Sequence, residues 1–142
     1  MTEAPLRVVI TGASSGIGES LARDYAKRGA TLALIARRGD LLTQLAGSLP
    51  VRSYTYTADV RDARALAAAA EDFIGRVGCP DVVIANAGVS AGTLTSDPRD
   101  NQVFEEILAI NVTGMMLTFQ PFVEPMTARK HGTLAEIGRA HV

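Results

Sequence analysis

Three glycines and two serines set close together are the residues of this chain best suited to chemistry: Thr11-Gly12-Ala13-Ser14-Ser15-Gly16-Ile17-Gly18. A turn of this composition fits an anion. Gly12 permits a tight exit from a strand, Gly16 lets the backbone approach a pyrophosphate, and Gly18 lets the next helix pack closely. Ser14 and Ser15 add hydroxyl donors beside the free N–H groups of a helix start. The spacing is Gly-x-x-x-Gly-x-Gly, not Gly-x-Gly-x-x-Gly. Alone, the turn could be purely structural; a strand before it and a helix after it favour phosphate binding. No metal or disulfide chemistry is indicated. Cys79 is the single cysteine, and His131 and His141 are the only histidines, at a spacing that makes no metal cluster.

The flanking elements are legible. Leu6–Thr11 is a short β-branched run without alternation, as in a strand buried on both faces. Gly18–Arg28 has helical spacing, with Leu21, Ala22, Tyr25 and Ala26 on one face and Gly29 as its stop. Thr31–Ala36 repeats the buried-strand pattern. Leu41, Leu42, Leu45 and Leu49 predict a helix closed by Pro50, and Val51–Thr57 a more polar strand nearer an edge. Asp62–Val77 is helical, with Asp62 as cap or first-turn acid. Asp81–Ala85 is a fourth buried strand, followed by a polar loop over Asn86–Asp97. One long helix is expected from about Arg99 to Arg129, kinked or split at Pro121 or Pro125, and a fifth strand over Gly132–Gly138. Strand and helix alternate throughout. That order predicts a doubly wound, Rossmann-type parallel sheet in a three-layer α/β/α sandwich, one domain over residues 1–142.

Composition narrows the classes. The 142 residues are 47% hydrophobic and 20% charged, with net charge −1, so a core can form and a disordered acidic tail is excluded. The balance lacks the basic stripe of a nucleic-acid binder. Twelve arginines against two lysines, Lys27 and Lys130, suggest a GC-rich bacterial gene. The first residues show no basic and apolar leader, and no uninterrupted apolar run approaches the roughly 20 residues of a membrane span. The expected setting is the cytoplasm, with neither nucleic acid nor membrane as partner.

Residues Thr11–Gly18 resemble the signature of the short-chain dehydrogenases/reductases, and four further stretches agree in order and spacing: Asp59-Val60, Asn86-Ala87-Gly88, Asn111-Val112-Thr113-Gly114 and Gly132–Ile137. Together they cover residues from about 6 to 137. The resemblance implies hydride transfer between a nicotinamide cofactor and a small-molecule alcohol/carbonyl pair. It implies that Gly12, Gly16 and Gly18 line the pyrophosphate with Ser14, Ser15 and Ile17 nearby. Asp59 would accept from the adenine amino group while Val60 touches the ring. Asn86, Ala87 and Gly88 would lie beside the adenosine ribose, and Asn111 would kink its helix and hold a water in the proton relay. Each residue has a plainer alternative. Asp59 could bridge a surface loop, Asn86 could pin one strand to its neighbour, and Asn111 could be a buried amide bonded to backbone.

Arg37 and Arg38 stand at the end of the second strand, where an acid reading the ribose 2′-OH would mark NAD(H). Guanidiniums there suit a 2′-phosphate, which favours NADP(H). The family's chemistry also uses a Ser, a Tyr as general acid/base and a Lys that lowers the Tyr pKa, the last two as Tyr-x-x-x-Lys. No such pair occurs: four residues beyond Tyr25, Tyr54 and Tyr56 stand Gly29, Ala58 and Val60. The expected Ser falls at about Arg139, and Arg139-Ala140-His141-Val142 departs from the family pattern. The sequence-based expectation is therefore a chain truncated after its fifth strand, holding the cofactor half without turnover. That strand would be an exposed edge, and the apolar helix 99–129 a homo-oligomer face. A non-catalytic nucleotide-binding module or pseudo-enzyme is the alternative. The glycine turn and Asn86-Ala87-Gly88 argue against a flavodoxin-like regulator.

Overall fold

A computed structural model describes residues 4–138. The Arg139–Val142 stretch, on which the expected Ser position falls, lies outside them. The chain forms β1 (Arg7–Thr11), α1 (Gly16–Lys27), β2 (Thr31–Ala36), α2 (Gly39–Ser48), β3 (Ser53–Thr57), α3 (Ala63–Val77) and β4 (Val82–Ala85). A 3₁₀ turn (Pro98–Asp100), α4 (Asn101–Leu108), a π turn (Ala109–Thr113), α5 (Gly114–Arg129) and β5 (Thr133–Glu136) follow. All four ladders are parallel and the order is β3-β2-β1-β4-β5. β1 thus sits centrally, with β2 on one side and β4 on the other.

Side chains alternate across each strand, so the sheet feeds two cores. Val8, Ile10, Leu32 and Leu34 pack with Ala22 and Ala26 of α1 and Leu42 and Leu45 of α2. Val9, Ala33, Ile35 and Val83 pack with Leu66 and Phe73 of α3 and with Phe122 and Met126 of α5. These are the expected three layers. The caps follow local chemistry: Asp62 Oδ1 accepts from the N–H groups of Arg64 and Ala65 at 3.1 Å each, which satisfies two orphan donors of α3. β3 is an edge strand, as its polarity suggested. β5 is the other edge, with Leu134 41% exposed.

Element limits shift by one or two residues from the sequence reading, β3 for instance beginning at Ser53 rather than Val51. α1 starts at Gly16, two residues earlier than expected, because the helix begins inside the glycine turn. The long helix does not split at proline. Pro121 and Pro125 lie inside α5, and the change of register is the π turn at Ala109–Thr113. That five-residue wider turn contains Asn111, whose side chain is drawn to the loop after β4. The run Pro98–Arg129 is also apolar and long enough to cross a bilayer, with mean hydropathy 1.2 over its most apolar stretch. In this fold it lies along the sheet and buries Gly114, Thr118, Phe122 and Met126, an i, i+4 stripe.

Candidate functional site

The strand order reverses at β1, because β2 pairs on one side and β4 on the other. Open α/β sheets leave a crevice at the carboxyl ends of such strands. Here it is a cleft of about 340 Å³. Its floor is the turn after β1: Gly12, Ser14, Ser15 and Gly16 line it. One side wall comes from the ends of β2 and β3, with Ala36, Arg37, Arg38, Ala58, Asp59 and Val60. The opposite wall is Asn86, Ala87, Gly88 and Val89, with Ile110 from the π turn.

Backbone geometry explains the glycine turn. Gly12 has φ +64°, and a Cβ there would sit 2.8 Å from Ala87 Cα. Only glycine combines that conformation with that approach. Gly18 does not line the cleft. It lies beneath the turn, where a Cβ would collide with Gly12 O and fall 2.5 Å from Asn86 Nδ2. Its contribution is close packing. Ile17 also stays out of the cleft lining and is 46% exposed. Ser15 precedes α1 with its hydroxyl unspent on a cap, and the first N–H groups of α1 lack intrahelical acceptors. Backbone donors and hydroxyls therefore converge where an anion would sit.

The two walls are stitched through β1. Thr11 Oγ1 accepts from the N–H groups of Asn86 and Ala87 at 3.1 and 3.2 Å. Asn86 Nδ2 donates to Gly12 O at 3.1 Å. Asn86 Oδ1 is the buried side-chain polar atom left without a partner among the described residues. Asn86 thus pins strand to strand and walls the cleft at once. Asn111 spends its amide on one residue: Oδ1 accepts from Val89 N–H at 2.9 Å and Nδ2 donates to Val89 O at 2.8 Å. It fixes the loop behind the cleft and is not itself part of the lining.

Charges are arranged unevenly. Arg38 pairs with Asp40 at 3.4 Å, whereas Arg37 has no carboxylate within ion-pair distance among the described residues. The Arg61 guanidinium holds the Asp59 carboxyl below the usual range; burial opposes it by pushing the carboxyl up, and the Arg61 N–H adds to the lowering. The cleft therefore offers glycine backbone, two hydroxyls, two guanidiniums and one ionised acceptor. That donor set fits a phosphorylated dinucleotide. Sequence reasoning did not single out Ala36, Ala58 or Ile110, whereas Val89 opens the segment expected to border the pocket. Position at a strand's carboxyl end was the available signal for Ala36 and Ala58; Ile110 needed the π turn.

The profile of the short chain dehydrogenase family matches residues 7–139. A cyclohexanol dehydrogenase of a Rhodococcus species is 29% identical over 94% of this chain and 57% of its own length. An 11-beta-hydroxysteroid dehydrogenase A of Sesamum indicum is 37% identical over 89% of this chain and 37% of its own. An alcohol dehydrogenase from Thermococcus sibiricus, solved with 5-hydroxy-NADP, superposes with TM-score 0.83 at 31% identity. That match covers 93% of this chain and 57% of that one. The chain spans about half, or less, of the length of these relatives.

Proposed function

The chain belongs to the short-chain dehydrogenase family, and from that premise we propose that it forms the cofactor-binding part of an oxidoreductase. Its substrate pair is an alcohol and a carbonyl, and its cofactor is NADP(H) in preference to NAD(H). The observation that supports this best is that Gly12, Ser14, Ser15, Gly16, Arg37, Arg38, Asp59, Val60, Asn86, Ala87 and Gly88 line one cleft together. The nicotinamide, when bound, supplies or accepts the hydride. The chain's own residues bind and orient. The turn at Gly12–Gly16 holds the pyrophosphate through N–H groups and hydroxyls. Gly18 keeps α1 close enough for those N–H groups to reach. Arg37 and Arg38 take the 2′-phosphate, Arg37 making no ion pair among the described residues while Arg38 is paired with Asp40. Asp59 and Val60 hold the base, and Asn86–Gly88 wall the ribose. Asn111 keeps the Val89 loop and the π turn in register with the place where a proton relay would run.

These 142 residues contain no Tyr-x-x-x-Lys pair. The proton-transfer groups of the family are therefore not among them, and this stretch alone binds cofactor without turning over a carbonyl. Calorimetric titration with NADPH and NADH tests the cofactor assignment. We expect NADPH to bind more tightly, and Arg37→Ala with Arg38→Ala to weaken NADPH by roughly tenfold or more while changing NADH little. Binding of neither nucleotide would overturn the cofactor assignment, and tighter NADH binding would overturn the NADP(H) preference. Saturable carbonyl reduction by these residues alone would contradict the missing-tyrosine argument.

A further inference from the structure

Arg61 lies outside the cleft lining, yet its side chain is committed to a residue that forms it. Its Nη2 donates to Asp59 Oδ2 at 2.7 Å. Its Nε lies 3.1 and 3.2 Å from Oδ1 and Oδ2. The Arg61 backbone N–H reaches Oδ1 at 2.9 Å. Both carboxylate oxygens are thus held by one residue two positions on, through a planar fork that fixes the carboxylate plane. The pair is only partly exposed, 41% for the Arg61 side chain and 29% for Asp59. Glu106 on α4 also attracts Arg61, and Arg37 attracts Asp59.

We propose that Arg61 is a positioning residue for base recognition: it locks the Asp59 carboxylate so that one free lone pair faces the purine edge and selects an amino group there. This rests on the reading of Asp59 as the base contact. A carboxylate clamped by a guanidinium stays ionised, so it only accepts. Adenine presents an amino donor at that edge. Hypoxanthine presents a carbonyl in its place, acceptor against acceptor, with its donor N–H on the neighbouring ring atom. A freely rotating carboxylate could swing to that N–H. A locked one cannot, so the lock sharpens discrimination rather than merely strengthening binding.

The test measures the Kd of NADP⁺ and of its hypoxanthine counterpart for the wild-type protein, Arg61→Gln and Arg61→Lys. We expect the wild type to prefer adenine by roughly tenfold or more, the worth of a hydrogen bond to a charged group. Arg61→Gln should reduce the preference to under about threefold, and Arg61→Lys, which keeps the charge without the fork, should fall between. A structural effect alone would weaken both nucleotides equally and leave their ratio unchanged. Should Arg61→Gln melt well below wild type, the ratio for Arg61→Lys decides. Failure of the wild type to bind either nucleotide removes the cofactor reading. Equal binding of both removes the Asp59 contact and the lock with it. Wild-type discrimination retained in both variants overturns the role of Arg61 while the cofactor reading stands.

Discussion

A single methyl group at Gly18 would reach into Gly12 O and Asn86 Nδ2, two atoms already joined to each other by a hydrogen bond of 3.1 Å. Neither can yield without opening the turn, because both are tied to the strand ends at the centre of the sheet. Gly18→Ala is therefore expected to destabilise the fold by about 2–3 kcal/mol, as overpacking does. It should also weaken nucleotide binding more than substitution at Ile17, which is 46% exposed and outside the lining. Urea denaturation and calorimetry on Gly18→Ala and Ile17→Ala check this; equal effects would mean that contact with ligand, not packing, sets the role of Gly18. Asn111 teaches a similar lesson. Both ends of its amide bond the backbone of Val89, so it acts on the cleft through the loop it holds. Asn111→Ala strands a backbone N–H and C=O, which costs about 1–3 kcal/mol when buried.

The long helical run shows how an element can serve two surfaces. One stripe, Gly114, Thr118, Phe122 and Met126, closes against the sheet. Another leaves Phe104, Leu108, Val112, Met116 and Val123 between 43% and 53% exposed. Small residues and back-bonded hydroxyls keep the inner stripe close: Thr118 Oγ1 donates to Gly114 O at 2.7 Å, and a Cβ on Gly114 would fall 2.6 Å from Val60 Cγ2. That last contact links the helix to a residue of the cleft wall. Exposed apolar side chains repeated along one helical run mark an interaction surface, and we expect this stripe to drive self-association. In sedimentation experiments the wild type should be larger than a monomer, and Phe104→Ser combined with Met116→Ser should shift it toward monomer without unfolding it. A stable, monodisperse wild-type monomer would refute this.

At the scale of the molecule the sheet divides its labour between its two ends. The carboxyl ends of the strands form the cleft; the amino ends are held by an ion cluster around Asp81. Asp81 accepts from the Arg7 N–H at 2.9 Å and from Arg129 Nη2 at 2.9 Å, with Arg7 Nε at 3.7 Å and His131 Nε2 at 3.6 Å. Arg129 Nη1 also donates to Cys79 O at 2.7 Å. One carboxylate thereby joins β1, β4, the end of α5 and the approach to β5. Burial pushes the Asp81 carboxyl up, but the Arg7 N–H and the Arg129 guanidinium outweigh it, and it lies below the usual carboxylate range. A depressed folded-state pKa means stability that is present above the unfolded value of about 4 and lost as pH falls through the folded one. Stability should thus decline in acid, and Asp81→Asn should cost about 2 kcal/mol at pH 7 while flattening that acid limb. Denaturation curves at pH 7 and pH 3 measure both. Nucleotide affinity at neutral pH should survive the change, because Asp81 stands at the opposite end of the sheet.

Much of this was legible from residue order alone. Buried β-branched runs, helix periodicity and the turn Thr11–Gly18 required a parallel sheet with an anion-suited turn after its first strand, because those signals are local and each has one inexpensive conformation. The Asp62 cap and the edge character of β3 were equally local. What residue order could not decide was which atoms meet across the sheet. Gly12 and Gly16 have positive φ whereas Gly18 is helical; residue order assigned Gly18 to close packing, but the atoms it packs against, Gly12 O and Asn86 Nδ2 from 68 residues away, come only from the tertiary structure. The irregularity of the long helix falls at Asn111, as the resemblance implied, rather than at Pro121 or Pro125, and the partner that draws Asn111 aside, the Val89 loop, is set by the tertiary structure. The Arg61 lock on Asp59 needed coordinates too: a basic residue two positions from an acid is common, and only the bidentate geometry at the rim of the cleft gives this pair its consequence.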